Sequence, residues 1–218
     1  MEPMTGKVRM SRAKLMAASL IGIGAVFMVM LSPSLASATG GFMTIDKAQI
    51  AAKNNKIKEL EIKADGDIPA QVGTLIGYGV LTTGGNPALV HATVATSHGG
   101  APFADSVRQN GNPNNPVWHN HYVEMQPDPA CPVGAAGLQL SVVDLSFSSP
   151  GKVNVDDKEL TMKNLPLGSI TTSSVVSGTH TFVTGTATNT AVAFGLSIGP
   201  SGQVCVTVTD IATAETDD

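Results

Sequence analysis

The stretch PVWHNHYVEMQPDPACP, residues 116–132, decides the fold, because it combines the alternation of a β-strand with the densest side-chain chemistry of the chain. It holds two of the five histidines, the only tryptophan and one of the two cysteines. Successive side chains of a strand point to opposite faces, so His119 and His121 share one face while Trp118 and Asn120 share the other. The segment is therefore a strand, and its histidine face is either a metal site or part of an ordinary sheet.

The same period of two recurs along the chain, separated by turn residues, and aromatic residues make up only 4% of the sequence. Short strands at regular spacing, without helical crossovers, are typical of antiparallel sandwiches. The sequence predicts an all-β fold, an antiparallel β-sandwich of immunoglobulin-like or jelly-roll-like type with about ten short strands. The predicted strands are 56–63, 74–82, 88–96, 117–125, 138–148, 152–155, 159–164, 171–177, 179–185, 191–198 and 203–212.

The N-terminus has the layout of a secretory signal peptide. Four basic residues precede an uncharged apolar run over residues 15–31, and small residues follow at Ala36 and Ala38. This pattern predicts a signal helix within residues 1–38 and cleavage after Ala38. The apolar run is close to the lower length limit of a membrane span, so an uncleaved N-terminal anchor is the alternative. Both interpretations place the rest of the chain outside the cytoplasm, secreted or at the cell surface.

The remaining sequence is long enough for one domain of ordinary size. We expect four segments, listed here in chain order. They are the signal peptide or anchor at 1–38, a linker with a short helix at 39–55, a single β-sandwich domain at 56–212 and an acidic tail at 213–218.

The charge of the exported chain argues against nucleic acid as a partner. Removing the four basic residues and one acidic residue of the leader from the 13 and 17 in the chain leaves 9 and 16, a net charge of −7. A chain of this charge repels phosphate backbones, and no basic stripe with interleaved aromatic residues is present. The lysines between Lys47 and Lys63 are interpreted as a solvated face.

Cys131 and Cys205 are the only cysteines of the chain. In an exported protein such a pair forms a disulfide far more often than a reactive site. In the chain-entropy model, closing a loop of this length stabilises the fold by roughly 4 to 5 kcal/mol. The bond would also place the loop after the histidine motif against the last predicted strand.

The histidines are the candidate metal ligands. His119 and His121, two residues apart on a strand, lie close enough to bind one ion, and neutral imidazole is a good ligand for copper or zinc. A complete site needs a third or fourth ligand. The candidates are His98, His91 and His180. The alternative is that the histidines are incidental residues of a sheet.

This pattern is similar to part of that of the copper/zinc superoxide dismutases. In both, an HxH strand is followed by a cysteine whose partner lies in the last strand, and the matching positions here are His119, His121, Cys131 and Cys205. The resemblance covers roughly a tenth of the chain and agrees with the all-β interpretation. No histidine lies between Cys131 and His180, so the second, zinc-binding cluster of that family is missing. The chain is not assigned to the family.

Sequence signals for other chemistry are weak. The chain has no G-x-G-x-x-G or P-loop motif, so no nucleotide cofactor is indicated. None of the single histidines lies in a recognisable catalytic-triad context, so a serine hydrolase is not indicated either. Two functions remain. The first is an exported copper-binding or zinc-binding β domain, and the second is a structural or adhesive cell-surface module whose partners are other envelope proteins. An enzyme is the less favoured class, and its activity would be a copper-dependent redox reaction.

We expect the mature protein to begin at about Thr39, because signal peptidase cleaves after the A-x-A sequence that ends at Ala38. N-terminal sequencing of protein from its native compartment measures this directly. Recovery of residues 1–30 on a membrane-bound form would show that the leader is retained as an anchor.

Overall fold

The computed structural model describes residues 41–69, 76–84, 88–94 (backbone only), 118–147 and 150–216. The predicted leader and His98 lie outside these ranges. The all-β prediction is confirmed, since the helical segments among the described residues are two single 3₁₀ turns. The strands are β1 Ile45–Ala52, β2 Lys56–Ala64, β3 Ile76–Thr82, β4 Ala88–Val94, β5 Trp118–Pro127, β6 Leu140–Leu145, β7 Lys152–Asp156, β8 Glu159–Pro166, β9 Ser169–Ser174, β10 Gly178–Val183, β11 Ala187–Ile198, β12 Val204–Thr213 and β13 Glu215–Thr216. No described helix is long and apolar enough to cross a membrane.

Six strands close into an antiparallel barrel in the order β11-β12-β6-β5-β4-β3, with β3 hydrogen-bonded back to β11. This closure differs from the open two-sheet sandwich that strand spacing predicts. Bulges at Ala193/Phe194 in β11 and Glu124/Met125 in β5 increase local bending, which closure requires. The β12–β6 seam is short, because it pairs only Cys205 with Ser141 and Val206 with Leu140.

A five-stranded sheet, ordered β13-β1-β2-β8-β7, packs against the outer wall of the barrel. Its fully buried aliphatic residues, among them Leu60 and Leu160, join Tyr78, Trp118 and Tyr122 of the barrel wall in one core. Tyr78 and Trp118 stack with ring centroids 5.9 Å apart. A second core fills the barrel interior and comprises Val123, Met125, Leu140, Val192, Phe194, Leu196, Val206 and Val208.

The region expected to be a linker with a short helix instead contains β1. Although the alanine-rich sequence IDKAQIAA suits a helix, it pairs antiparallel with β2 over Ile45–Ala52 and buries Ile45, Ala48 and Ile50. Burial against a neighbouring strand outweighs the weak local propensity. The expected acidic tail is also partly ordered: Glu215 and Thr216 form β13, parallel to β1, with a Lys47–Glu215 ion pair of 3.2 Å.

Strands β9 and β10 form a separate two-stranded hairpin. Its inner face lies on the outer face of β5, where Phe182 stacks on Tyr122 with ring centroids 6.1 Å apart. Phe182 is buried, whereas Thr179, Thr181 and Val183 alternate with it and are exposed. The hairpin therefore covers a part of the barrel wall that the five-stranded sheet leaves uncovered.

The predicted disulfide is confirmed. Cys131 and Cys205 are bonded, with a Cα–Cα distance of 5.4 Å, and both are buried. The bond joins the turn after β5 to the first residues of β12, as expected from the sequence. The bond lies at the short β12–β6 seam. A covalent link therefore reinforces the barrel where the fewest ladder hydrogen bonds connect neighbouring strands.

Replacing Cys205 with serine should lower the free energy of unfolding by about 4 kcal/mol, because the unfolded chain regains the entropy of an open loop of 74 residues. Urea denaturation of the oxidised protein and of the variant gives this difference. The matched variant Cys131→Ser should lose the same amount, and reductant should affect neither variant. Two titratable thiols in wild-type protein unfolded without reductant would contradict the bond.

Candidate functional site

His119 and His121 lie side by side on the interior face of the barrel. Val123, two residues further along the same face of β5, belongs to the core of the barrel interior, whereas Trp118 and Tyr122 on the other face pack against the five-stranded sheet. Both imidazoles are buried, each 1% exposed. Their ring centroids are 4.6 Å apart in an edge-to-face arrangement. The structure therefore brings together the two histidines of the HxH motif.

The orientation of His121 is fixed by a backbone carbonyl. Its Nδ1 lies 2.6 Å from the Ser146 carbonyl oxygen, which can only accept, so Nδ1–H is the donor. In the neutral ring, Nε2 then carries the lone pair. Ser146 is itself held against β5, because its amide donates to the Tyr122 carbonyl and its hydroxyl accepts from the Tyr122 amide, each at 2.9 Å. The protein thus determines which ring nitrogen of His121 can bind a metal.

His91 occupies the position directly opposite this pair in the neighbouring strand. The antiparallel register of β4 and β5 matches His91 with His121 and Thr93 with His119. Directly opposite residues of an antiparallel pair have Cβ atoms about 4.5–5.5 Å apart on the same face. On the other side of β4, the register partner of His91 is Gly79, which contributes no side chain. The backbone therefore places a third histidine beside the HxH pair.

His180 lies on the other side of β5 from the HxH pair. Its Nε2 is 2.7 Å from Oε2 of Glu124, and its Nδ1 is 3.9 Å from Oδ2 of Asp144. Glu124 lies on the outer wall of the barrel, between the barrel and β10. The structure does not bring His180 together with His119 and His121, and His98 lies outside the described residues.

Sequence reasoning missed Asp144, which is buried and pairs in register with Glu124. Burial alone would raise the pKa of this carboxyl, but hydrogen bonds from the backbone of Val176 and Leu145 and from Ser177 and Ser174 outweigh it and lower the pKa. The donor distances run from 2.7 to 3.3 Å. Asp144 is thus an anchor for the β9–β10 turn. Its sequence signal is a lone aspartate in the apolar strand LSVVDL.

A cleft of about 240 Å³ opens beside the Glu124–His180 pair, between β5 and β10. Its lining is partly polar and partly apolar and includes consecutive residues of β10. The lining residues are Val123, Glu124, His180, Thr181, Phe182, Val183 and Thr184. Because both alternating sets of β10 contribute, the cleft runs along the edge of this strand and not under one face.

Few possible metal ligands lie close together among the described side chains. Among them, no group of three or more His, Cys, Asp or Glu is placed to hold a metal ion. Burial raises the pKa of Tyr78 and of Tyr122, so both phenols remain neutral. They donate to the carbonyls of Phe42 and Pro166 respectively. The described part of the HxH site contains two imidazole side chains, those of His119 and His121.

Comparisons with protein-family models, curated proteins and solved structures found no match for this chain. The fold and the site define its class: an all-β, disulfide-linked domain with a buried histidine pair inside a six-stranded barrel. Function is inferred from this geometry.

Replacing Asp144 with asparagine should lower the free energy of unfolding at pH 7 by about 2 kcal/mol, because charge-assisted hydrogen bonds to the turn are lost. The folded pKa is lower than the unfolded one. The stabilisation is therefore complete above the unfolded pKa of about 4 and is lost as the pH falls through the folded value. Denaturation at pH 7 and at lower pH should show the difference between wild type and variant shrinking on acidification.

The control variant for this measurement is Asp156→Asn, at an exposed position at the end of β7. It should change stability by no more than about 0.5 kcal/mol at either pH. A difference between wild type and Asp144→Asn that stays constant with pH would mean that the carboxylate charge contributes nothing.

Proposed function

We propose that this protein is an exported metal-binding β domain that holds one copper or zinc ion with His119 and His121. The observation that carries the proposal is the adjacency of the two buried imidazoles, 4.6 Å apart on one strand face. Copper and zinc are favoured over calcium or magnesium because both ligands are imidazole nitrogens.

The hydrogen bond from His121 to Ser146 supports this proposal. Metal-bound histidines usually donate their second ring nitrogen to a carbonyl or carboxylate, which fixes the tautomer and the ring orientation. His121 has this arrangement, with Nδ1 bound to the carbonyl and Nε2 as the ligand atom. The site would bind a metal without first having to reorient this ring.

The third ligand is expected from His91, because its backbone is in register with His121. Three histidine ligands leave a position for water or another ligand, as in catalytic zinc sites and in copper sites. Such a site would serve metal storage or transfer. A bound copper ion would in addition be capable of a redox reaction.

Export is part of the proposal. The buried Cys131–Cys205 bond is typical of an oxidising compartment, and the leader layout directs the chain there. The runner-up function, a structural or adhesive surface module, is supported by the same disulfide and by the complete burial of both histidines, which also suits a packing role.

Purified mature protein should bind one equivalent of Cu²⁺ or Zn²⁺ at neutral pH and release it below about pH 5 to 6, where imidazoles become protonated. Titration calorimetry and elemental analysis measure the stoichiometry. His119→Ala and His121→Ala should each weaken binding strongly, and His91→Ala should do so if it is the third ligand.

His180→Ala is the matched control, because this histidine lies on the opposite face of β5 and binds Glu124. Its metal affinity should equal that of the wild type. The absence of stoichiometric metal in wild-type protein, or an equal loss in the control, would overturn the metal proposal in favour of the structural module.

A further inference from the structure

The sheets of this protein differ in how many unpaired backbone groups their edge strands expose. The barrel is closed, with one short seam between β12 and β6. The five-stranded sheet ends in β7, which carries Lys152 and Asp156, and in β13, which is two residues long. Short or charged edges resist pairing with other chains. The remaining sheet is the β9–β10 hairpin, which has two edges of six residues each.

The outer edge of β9 is partly covered by the chain that follows β6. The Phe147 amide donates to the Ser173 carbonyl and the Val175 amide to the Leu145 carbonyl, each at 2.9 Å. Ser146 and Ser174 also form an isolated bridge. One edge of the hairpin is therefore already paired within the protein.

The edge of β10 is open among the strands that the structure describes, since β9 is its one partner there. The Thr184 amide bonds to the Gly168 carbonyl, which fixes the phase of the ladder. Hydrogen-bonded pairs alternate in an antiparallel ladder, so Phe182, His180 and Gly178 also face β9. The amide and carbonyl groups of Thr179 and Thr181 and the amide of Val183 therefore point away from β9, towards an added strand. The open edge ends there, because Gly84 lies against the Val183 carbonyl.

The sequence around this edge lacks the residues that normally prevent pairing. After Lys163 the chain contains neither lysine nor arginine, and β10 contains no proline. Of the five large apolar side chains that are exposed among the described residues, Val183 is in β10, Val176 is in its turn and Phe147 lies next to β9. An open edge with exposed β-branched residues is a favourable template for strand addition.

The chemistry of the cleft indicates the occupant. The cleft runs along the same edge, with the Glu124 carboxylate in its wall and the Asp144 carboxylate behind His180. Because the chain has no lysine or arginine after Lys163, His180 is the one basic side chain of the hairpin. A basic side chain complements this cleft, whereas a second copy of this acidic chain would bring further negative charge.

We propose that the β10 edge binds an extended segment of a partner protein as a third strand of the hairpin, with a lysine or arginine of that segment in the cleft against Glu124. The backbone groups of Thr179 and Thr181 and the amide of Val183 form the ladder, and the cleft selects the basic side chain. This is strand addition, in which main-chain hydrogen bonds give affinity and a pocket gives specificity. The proposal is independent of metal binding.

The probe is a labelled peptide of alternating threonine and valine with one central lysine, titrated into the full mature protein by fluorescence anisotropy. A second peptide carries glutamate in place of lysine. The lysine peptide should bind saturably and about tenfold more tightly. Glu124→Gln should remove that preference. Amide NMR shifts should concentrate on Thr179, Thr181 and Val183.

Thr181→Pro removes an outward amide without breaking a bond to β9, and it should weaken peptide binding by at least about tenfold. Thr171→Pro is the matched control, because Thr171 is the register partner of Thr181 and its amide faces the other edge of the hairpin. It should bind as the wild type does. Thermal unfolding shows whether either variant keeps its fold, and Glu124→Gln tests the cleft without altering the backbone.

Equal binding by Thr181→Pro and Thr171→Pro would overturn the edge assignment, as would no saturable binding of the lysine peptide at millimolar concentration. Self-association of the wild type that Thr181→Pro abolishes would make a second copy the occupant and would also overturn the proposal.

Discussion

Strand β5 is covered on both faces from Trp118 to Met125, and each polar side chain in that part must find a partner inside the protein. The partners come from widely separated parts of the chain. Trp118 donates to the carbonyl of Pro69 at 3.0 Å, Asn120 to that of Pro150 at 2.8 Å and Tyr122 to that of Pro166 at 2.8 Å, while His121 donates to Ser146 and Glu124 binds His180. These bonds tie the barrel, the five-stranded sheet and the hairpin to one strand.

Local periodicity was sufficient to predict most strands. Segments such as β2, KIKELEIKA, alternate apolar and polar residues because one face packs and the other is solvated, and that signal is local. β1 could not be predicted in this way, because its alanine-rich sequence becomes a strand only through pairing with β2. The closure of β3 onto β11 depends on bulges and on residues more than a hundred positions apart, so it leaves no local pattern.

Some features of the candidate site could likewise be predicted from local sequence, and others depend on how distant strands pair. The adjacency of His119 and His121 follows from the two-residue period of a strand, and the disulfide was predictable from the leader-like N-terminal sequence and the cysteine count. The position of His180 could not be predicted, since it depends on how the hairpin docks on β5. The registry of His91 with His121 likewise depends on the β4–β5 pairing.

The disulfide ties the closure of the barrel to the redox state of its surroundings. β12 meets β6 through two residue pairs, and one of these contains Cys205. Without the bond, only these two pairs would connect the strands at this seam. The firmness of the closure therefore depends on the redox state of the surroundings: an oxidising compartment keeps the covalent link intact, and a reducing one removes it. A single bond thus makes the stability of the whole barrel sensitive to its chemical environment.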